Sequence, residues 1–287
     1  MALRASILKT LAYADIFDYP LTASEIHHWL IRSNQFPVVS IQQLQVALQQ
    51  TVNCKLVTVN SGFYFLTGRQ KIVSLRQARS RWSQEKLKLA RRVGDWLKFI
   101  PTIKLVAVTG ALAMSNPAIT DDIDLMIVTS PHTLWLTRPL VVLLVSLIAK
   151  RRTPAKNYSN AICLNLWLDT TALAVSKPQR NLYTAHEVAQ VKPLWDRHHT
   201  HAHFLSANSW INNYLPNIPI PKIKISQLDA RRYTLAAIFN RLAFRLQLWY
   251  MRPRRTRERV SLHAAFFHPR DTGRLVMRQY RHRDSNY

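Results

Sequence analysis

Apolar residues along the first 75 positions recur at helical spacing and then switch to strand alternation. Ile7, Leu8, Leu11 and Phe17 predict a first helix. Thr22-x-x-Glu25 and Ser40-x-x-Gln43 are capping-box patterns that each open a helical run, the second continued by Ile41, Leu44 and Leu48. KLVTV and FYFL then flank Asn60-Ser61-Gly62, which predicts a short hairpin. Three helices followed by a hairpin is the order of a winged helix.

Residues 78–100 read as one long basic amphipathic helix, with Trp82, Leu89 and Trp96 every seven positions and Val93, Leu97 and Ile100 alongside; Pro101 ends it. The period then changes. LVAVTG, DIDLMIVT and AICLNLWL predict three strands, the first ending in Gly110, with helical stretches before the third and after Leu182. The most apolar run, Leu140 to Ala149, has ten residues. That is half of the roughly 20 a bilayer span needs, so a buried helix is expected. A further amphipathic helix runs from Asp229 to Arg252, with Leu235, Phe239, Leu242, Leu246 and Trp249 on one side and Arg241, Arg245 and Arg252 near one line. The predicted class is α+β and multidomain: a winged-helix-like domain over 1–75, a basic connecting helix over 76–100, a mixed α/β core over 101–200 and an Arg-rich helical region over 201–287.

Charge changes the picture of partners. Among 287 residues, 40 Lys+Arg face 15 Asp+Glu, a formal +25, while 48% of residues are hydrophobic. The chain is therefore a folding one that attracts polyanions. The first 75 residues carry only six basic and three acidic side chains, and the second capped helix, rich in Gln, has no Lys or Arg. A structural or protein-contact wing is the favoured reading over DNA reading, because phosphate contacts need basic residues. From Arg231 onward there are fourteen arginines and no lysine, so RNA or DNA contact is expected from that region and the 76–98 helix. Cys54 and Cys163 sit in apolar runs without metal spacing and imply no disulfide framework. Asp15 and Asp18 interrupt any secretory core near the start, and the expected setting is cytoplasmic, with no membrane partner.

Only five glycines occur, none at GxG spacing and none in GxxxxGK, which excludes the Rossmann fingerprint, the P-loop and the kinase glycine loop. The chemistry concentrates instead in VAVTGALAMSNPAITDDIDLMIVT, residues 106–129. Residues i and i+2 of a strand share a face, so Asp122 and Asp124 project together while Ile123 and Leu125 enter the core. Paired carboxylates repel unless a cation neutralises them, and oxygen ligands of this kind suit Mg²⁺ arriving with a nucleotide. This string resembles the DNA polymerase beta-like nucleotidyltransferase superfamily, closest to its minimal members, in Gly110-Ala111-Leu112-Ala113-Met114-Ser115 and Asp121-Asp122-Ile123-Asp124-Leu125.

The resemblance implies that Asp122 and Asp124 bind the metal and align the nucleotide, an NTP with ATP the expected one. Gly110, Ala111 and Ser115 would then lie along the phosphates. It implies transfer of a nucleoside monophosphate to an acceptor. Ala111 and Ser115 depart from the usual residues, and the third carboxylate falls on Asn165, which cannot act as a general base. Asp169, four residues on, is the candidate substitute. The alternative is a degenerate core serving as a nucleic-acid-binding regulator. His199, His201 and His203 would line one face of a strand as zinc ligands, but no Cys or acid accompanies them, and a solvated segment is preferred. His186-Glu187 opens HEVAQ, where Gln190 replaces the second histidine of a zincin motif.

Overall fold

The computed structural model describes residues 2–33, 39–153, 159–223, 234–254, 258–267 and 272–284. Capping fixes the first elements. Helix α1 (Ala2–Asp15) leads to α2 (Ala23–His28) and α3 (Ile41–Asn53). Both predicted capping boxes form, with Thr22 and Ser40 accepting from the Glu25 and Gln43 amides and those side chains returning to the cap N–H groups. Strands β1 (Val57–Asn60) and β2 (Phe63–Leu66) pair antiparallel. Their turn holds Ser61 and Gly62 in the left-handed region, at φ 51° and 77°, as a tight hairpin requires.

Helix α4 (Ile72–Leu97) begins earlier than the expected residue 78 and buries Leu87, Ala90, Val93 and Leu97. Trp96 of the seven-residue repeat is half exposed, so that repeat is not the buried seam. Then follow β3 (Ile103–Val108), α5 (Gly110–Ala113), β4 (Ile123–Thr129), α6 (Leu134–Ile148) and β5 (Ile162–Asp169). The chain continues with α7 (Leu182–Ala189), β6 (Lys192–Asp196), α8 (Thr200–Ala207), α9 (Thr234–Met251), β7 (Arg259–Val260), β8 (Ala264–Phe266) and α10 (Thr272–Asp284).

Six strands form one mixed sheet in the order β6-β3-β4-β5-β8-β7, with β4 and β5 parallel and the other pairs antiparallel. Strand alternation divides the core into two layers. On one face Leu105, Ala107, Met126 and Val128 pack with Tyr13, Trp29 and residues of α7 and α10. On the other, Val106, Val108, Leu125 and Ile127 pack with α4 and α6. The N-terminal unit is thus docked on the sheet: the ring of His186, on α7, stacks on Tyr13 at 4.1 Å and on Trp29 at 5.3 Å.

Four expectations change. The run Leu140–Ala149 is only half buried: Val141 and Val145 are enclosed, whereas Leu140, Leu143 and Leu147 face outward, because one side of α6 covers the sheet and nothing among the described residues covers the other. The region after residue 200 contributes two strands as well as helices. KPLWD forms the edge strand β6, which its Lys and Pro concealed. His199, His201 and His203 do not share a strand face: α8 starts at Thr200, where the Asp196 carboxylate accepts from the Thr200 and His201 amides.

Burial lowers the pKa of His186 from 6.5 to about 3, with a smaller contribution from His28. Between those values the unfolded chain takes up a proton that the folded chain refuses, so this residue's contribution to stability is lost as pH falls below 6.5. His186→Phe should therefore flatten the fall in stability across that window by about 1.4 kcal/mol per pH unit relative to the parent, measured by urea unfolding.

Candidate functional site

Three pieces of backbone meet at the ends of β3, β4 and β5. Strand β3 stops at Val108, and the Thr109 amide donates to the Asp124 carbonyl at 3.1 Å. Gly110 then turns the chain at φ +61°, and a Cβ there would stand 2.9 Å from Asp124 Oδ2. Only glycine lets the backbone lie this close to that carboxylate without strain. The turn is held from outside: the Tyr19 hydroxyl donates to the Met114 carbonyl at 2.7 Å, and Arg79 donates to Asn116 Oδ1 at 3.1 Å.

The loop entering β4 is fixed by a buried ammonium. Lys86 Nζ donates to the carbonyls of Ile119 and Asp121 at 3.2 and 2.6 Å and to Asn160 Oδ1 at 2.7 Å. The three neighbouring acids then divide their work. Asp121 accepts from the Ala118 amide at 2.8 Å and closes the loop. Asp122 accepts from Arg152 at 2.6 Å, and Asp124 accepts from Asn165 Nδ2 at 2.5 Å. Asp122, Asp124 and Cys163 bring one ligand atom each to within 4.8 Å of one another. Asn165 does face the pair, while its own buried Oδ1 has no hydrogen-bond partner.

A cavity of about 1360 Å³ opens in front of this corner, lined by Thr109, Gly110, Ala111, Asp124 and Asn165 and walled by residues of α1, α7 and α10. Asn116 and Glu187 also line it, and neither was expected from the sequence. Gln190 donates to Glu187 at 2.6 Å. Burial, with the charge of Asp124 added, pushes the Glu187 carboxyl up to about 7. Burial, with the charge of Asp122 added, pushes Asp124 up to about 7 as well. Burial raises the Cys163 thiol too, with Asp124 contributing. Such carboxylates ionise together only when positive charge is brought to them. Arg274, Arg278 and Arg281 of α10 line the same cavity at i, i+4, i+7, which gives an anion a place to be held.

Ser115 sits outside the lining; it adopts φ +55°, and its amide donates to the Leu112 carbonyl at 3.0 Å, closing the turn. Asp169 is not at the pair. Four residues carry it about 13 Å along β5, where it is fully buried. Its oxygens there accept from His263 Nδ1 at 2.7 Å, the His132 amide at 3.1 Å and the Thr171 amide and hydroxyl. His132, Asp169 and His263 form a compact triad, yet those hydrogen bonds already engage both carboxylate oxygens and tie β8 to the sheet. No protein-family model matches the chain, and no curated protein or solved structure matches it.

Gly110→Ala should cost roughly 1–3 kcal/mol through the left-handed backbone and the approach to Asp124. In an Asp124→Ala background the cost should shrink, because the carboxylate that the new methyl meets is gone. A double-mutant cycle by chemical unfolding checks this, with a coupling of about 0.5–3 kcal/mol expected.

Proposed function

We propose that the chain is a Mg²⁺-dependent nucleotidyltransferase that moves a nucleoside monophosphate from an NTP, ATP foremost, to an acceptor hydroxyl or phosphate. The observation that carries the reading is Asp124, which lies against the Gly110 turn in the lining of a cavity large enough for a nucleotide and part of an acceptor, with Asp122 beside it but outside that lining. Asp122 and Asp124 would hold Mg²⁺, and the fit rests on their converging oxygen atoms and on the raised pKa of Asp124, which marks a buried acid short of positive charge. Bound there, the ion would neutralise charge that builds on the phosphates.

The remaining parts belong to the chain itself. Amides of the turn beginning at Gly110 and the α10 arginines hold the β- and γ-phosphates. The acceptor oxygen attacks the α-phosphorus, the bond to the β-phosphate oxygen breaks, and pyrophosphate leaves with that electron pair. Asn165 orients Asp124 and takes no proton. Glu187, facing the same cavity with a carboxyl near neutrality, takes the proton of the attacking group. It fills the role left open where Asn165 replaces the third carboxylate.

A second reading is favoured by one contact: Arg152 lies against Asp122, placing a fixed cation on the pair. On that reading the core is catalytically degenerate, and the α10 arginines together with the exposed bases of α4 serve a nucleic-acid-binding regulator.

Incubation with each α-labelled NTP and Mg²⁺ separates the two. Asp122→Asn with Asp124→Asn should abolish Mg²⁺-dependent nucleotide binding and transfer. Glu187→Gln should keep nucleotide affinity while lowering turnover by about 10²–10⁴-fold. Equal NTP binding by the parent and the double variant would sink the transferase reading. RNA or DNA binding that falls steeply with salt and ignores all three substitutions would establish the second.

A further inference from the structure

Helices α6 and α9 pack side by side, and each carries a row of apolar residues turned away from the protein. On their inward side Ala243, Phe244 and Met251 of α9 join the core that holds Trp135, Val141 and Val145 of α6, and polar contacts run through the seam. The Trp135 amide donates to Asn240 Oδ1 at 2.8 Å, Gln247 donates to the Trp135 carbonyl at 2.6 Å, and Arg138 donates to Gln247 at 3.0 Å. The Trp135 and Phe244 rings complete the contact at 5.0 Å. The amphipathicity of α9 is thereby inverted: Leu235, Phe239, Leu242, Leu246 and Trp249, which the sequence groups on one side, all face solvent, Trp249 at 72% and Leu246 at 66% exposure. Leu136, Leu140, Leu143 and Leu147 form a matching outward row on α6. Isolated exposed apolar residues need no explanation, but two adjoining helical rows are a surface built to be covered.

Charge decides what covers it. Neither helix contains an Asp or a Glu. Exposed Arg241, Arg245 and Arg252 run along one flank of the α9 row, and Lys150 and Arg151 follow the end of α6. A second copy would bring its own arginine flank and its own +25 against the first. Nucleic acid would use the arginines and leave the leucines wet. An anionic lipid surface satisfies both, with apolar residues entering the acyl boundary, arginines meeting headgroups and a tryptophan at the interface. Neither helix is long and apolar enough to cross a membrane, so contact with one would be along its surface. We propose that the α6/α9 face is a docking surface for anionic membrane, holding the protein on the bilayer surface without spanning it. The proposal differs from the expectation of no membrane partner and is compatible with the finding that no helix among the described residues is long and apolar enough to span a membrane.

Flotation of the full chain with phosphatidylcholine vesicles, with and without phosphatidylglycerol, tests it. The parent should float with the anionic vesicles. Leu242→Gln with Leu246→Gln, both on the outward row, should weaken binding by about tenfold or more with an unchanged circular dichroism spectrum. Arg241→Gln with Arg245→Gln should reduce the preference for phosphatidylglycerol over phosphatidylcholine. Absence of anionic-vesicle binding at low salt overturns the proposal. So does binding that the leucine substitutions leave untouched, because charge alone then explains it. A parent that is dimeric by light scattering, ignores vesicles and becomes monomeric in the leucine variant assigns the face to a second copy, and RNA binding lost in that variant assigns it to nucleic acid; either result overturns the proposal.

Discussion

The approach of the Gly110 backbone to the Asp124 carboxylate is the constraint on which the site depends. It requires β3 to end where it does, the chain to turn into the left-handed region at one residue, and no side chain to intervene. Everything nearby can be read as support for that contact. The buried Lys86 ammonium fixes the loop that delivers Asp122 and Asp124 to the head of β4. Tyr19 and Arg79 hold the far side of the turn from the N-terminal unit and α4. Asn165 comes from the neighbouring parallel strand and fixes one carboxylate oxygen. The result is a corner in which Arg152 pairs with Asp122 while Asp124 is held by the Asn165 amide rather than by a cation of its own.

How much of this was legible in the sequence follows the range of the interactions. The segment from Val106 to Thr129 carries its geometry locally: a strand, a glycine turn and a second strand with alternate acids, so the pairing of Asp122 with Asp124 is readable, whereas the choice between Asn165 and Asp169 depends on the register of a separate strand. The capping boxes were equally local. Glu187 was not readable, since its meaning comes from a cavity wall built by α7 and its only sequence context was a broken zinc motif. Asp169 shares the parity of Asn165 but ends β5, and that distance along the strand is what keeps it from the pair.

Helices α6 and α9 show a different limit. An amphipathic pattern names two faces and leaves open which one the protein keeps. Here Asn240 and Gln247 bond to the backbone of Trp135, and those contacts, with Ala243, Phe244 and Met251 packed into the core, put the leucine row outside. The apolar run from Leu140 to Ala149 predicts burial, yet only Val141 and Val145 of it are enclosed, because composition alone does not say which side of a helix meets the sheet.

The walls of the cavity come from distant parts of the polypeptide: Tyr13 and Phe17 near its beginning, and Arg274, Arg278 and Arg281 some 260 residues later, with Arg283 bonded to Asp15 at 3.0 Å. During synthesis the strands bearing Asp122, Asp124 and Asn165 leave the ribosome well before α10. A nascent chain thus carries the acids before the arginines that complete the cavity wall, so the order of translation makes closure of this cavity a late step.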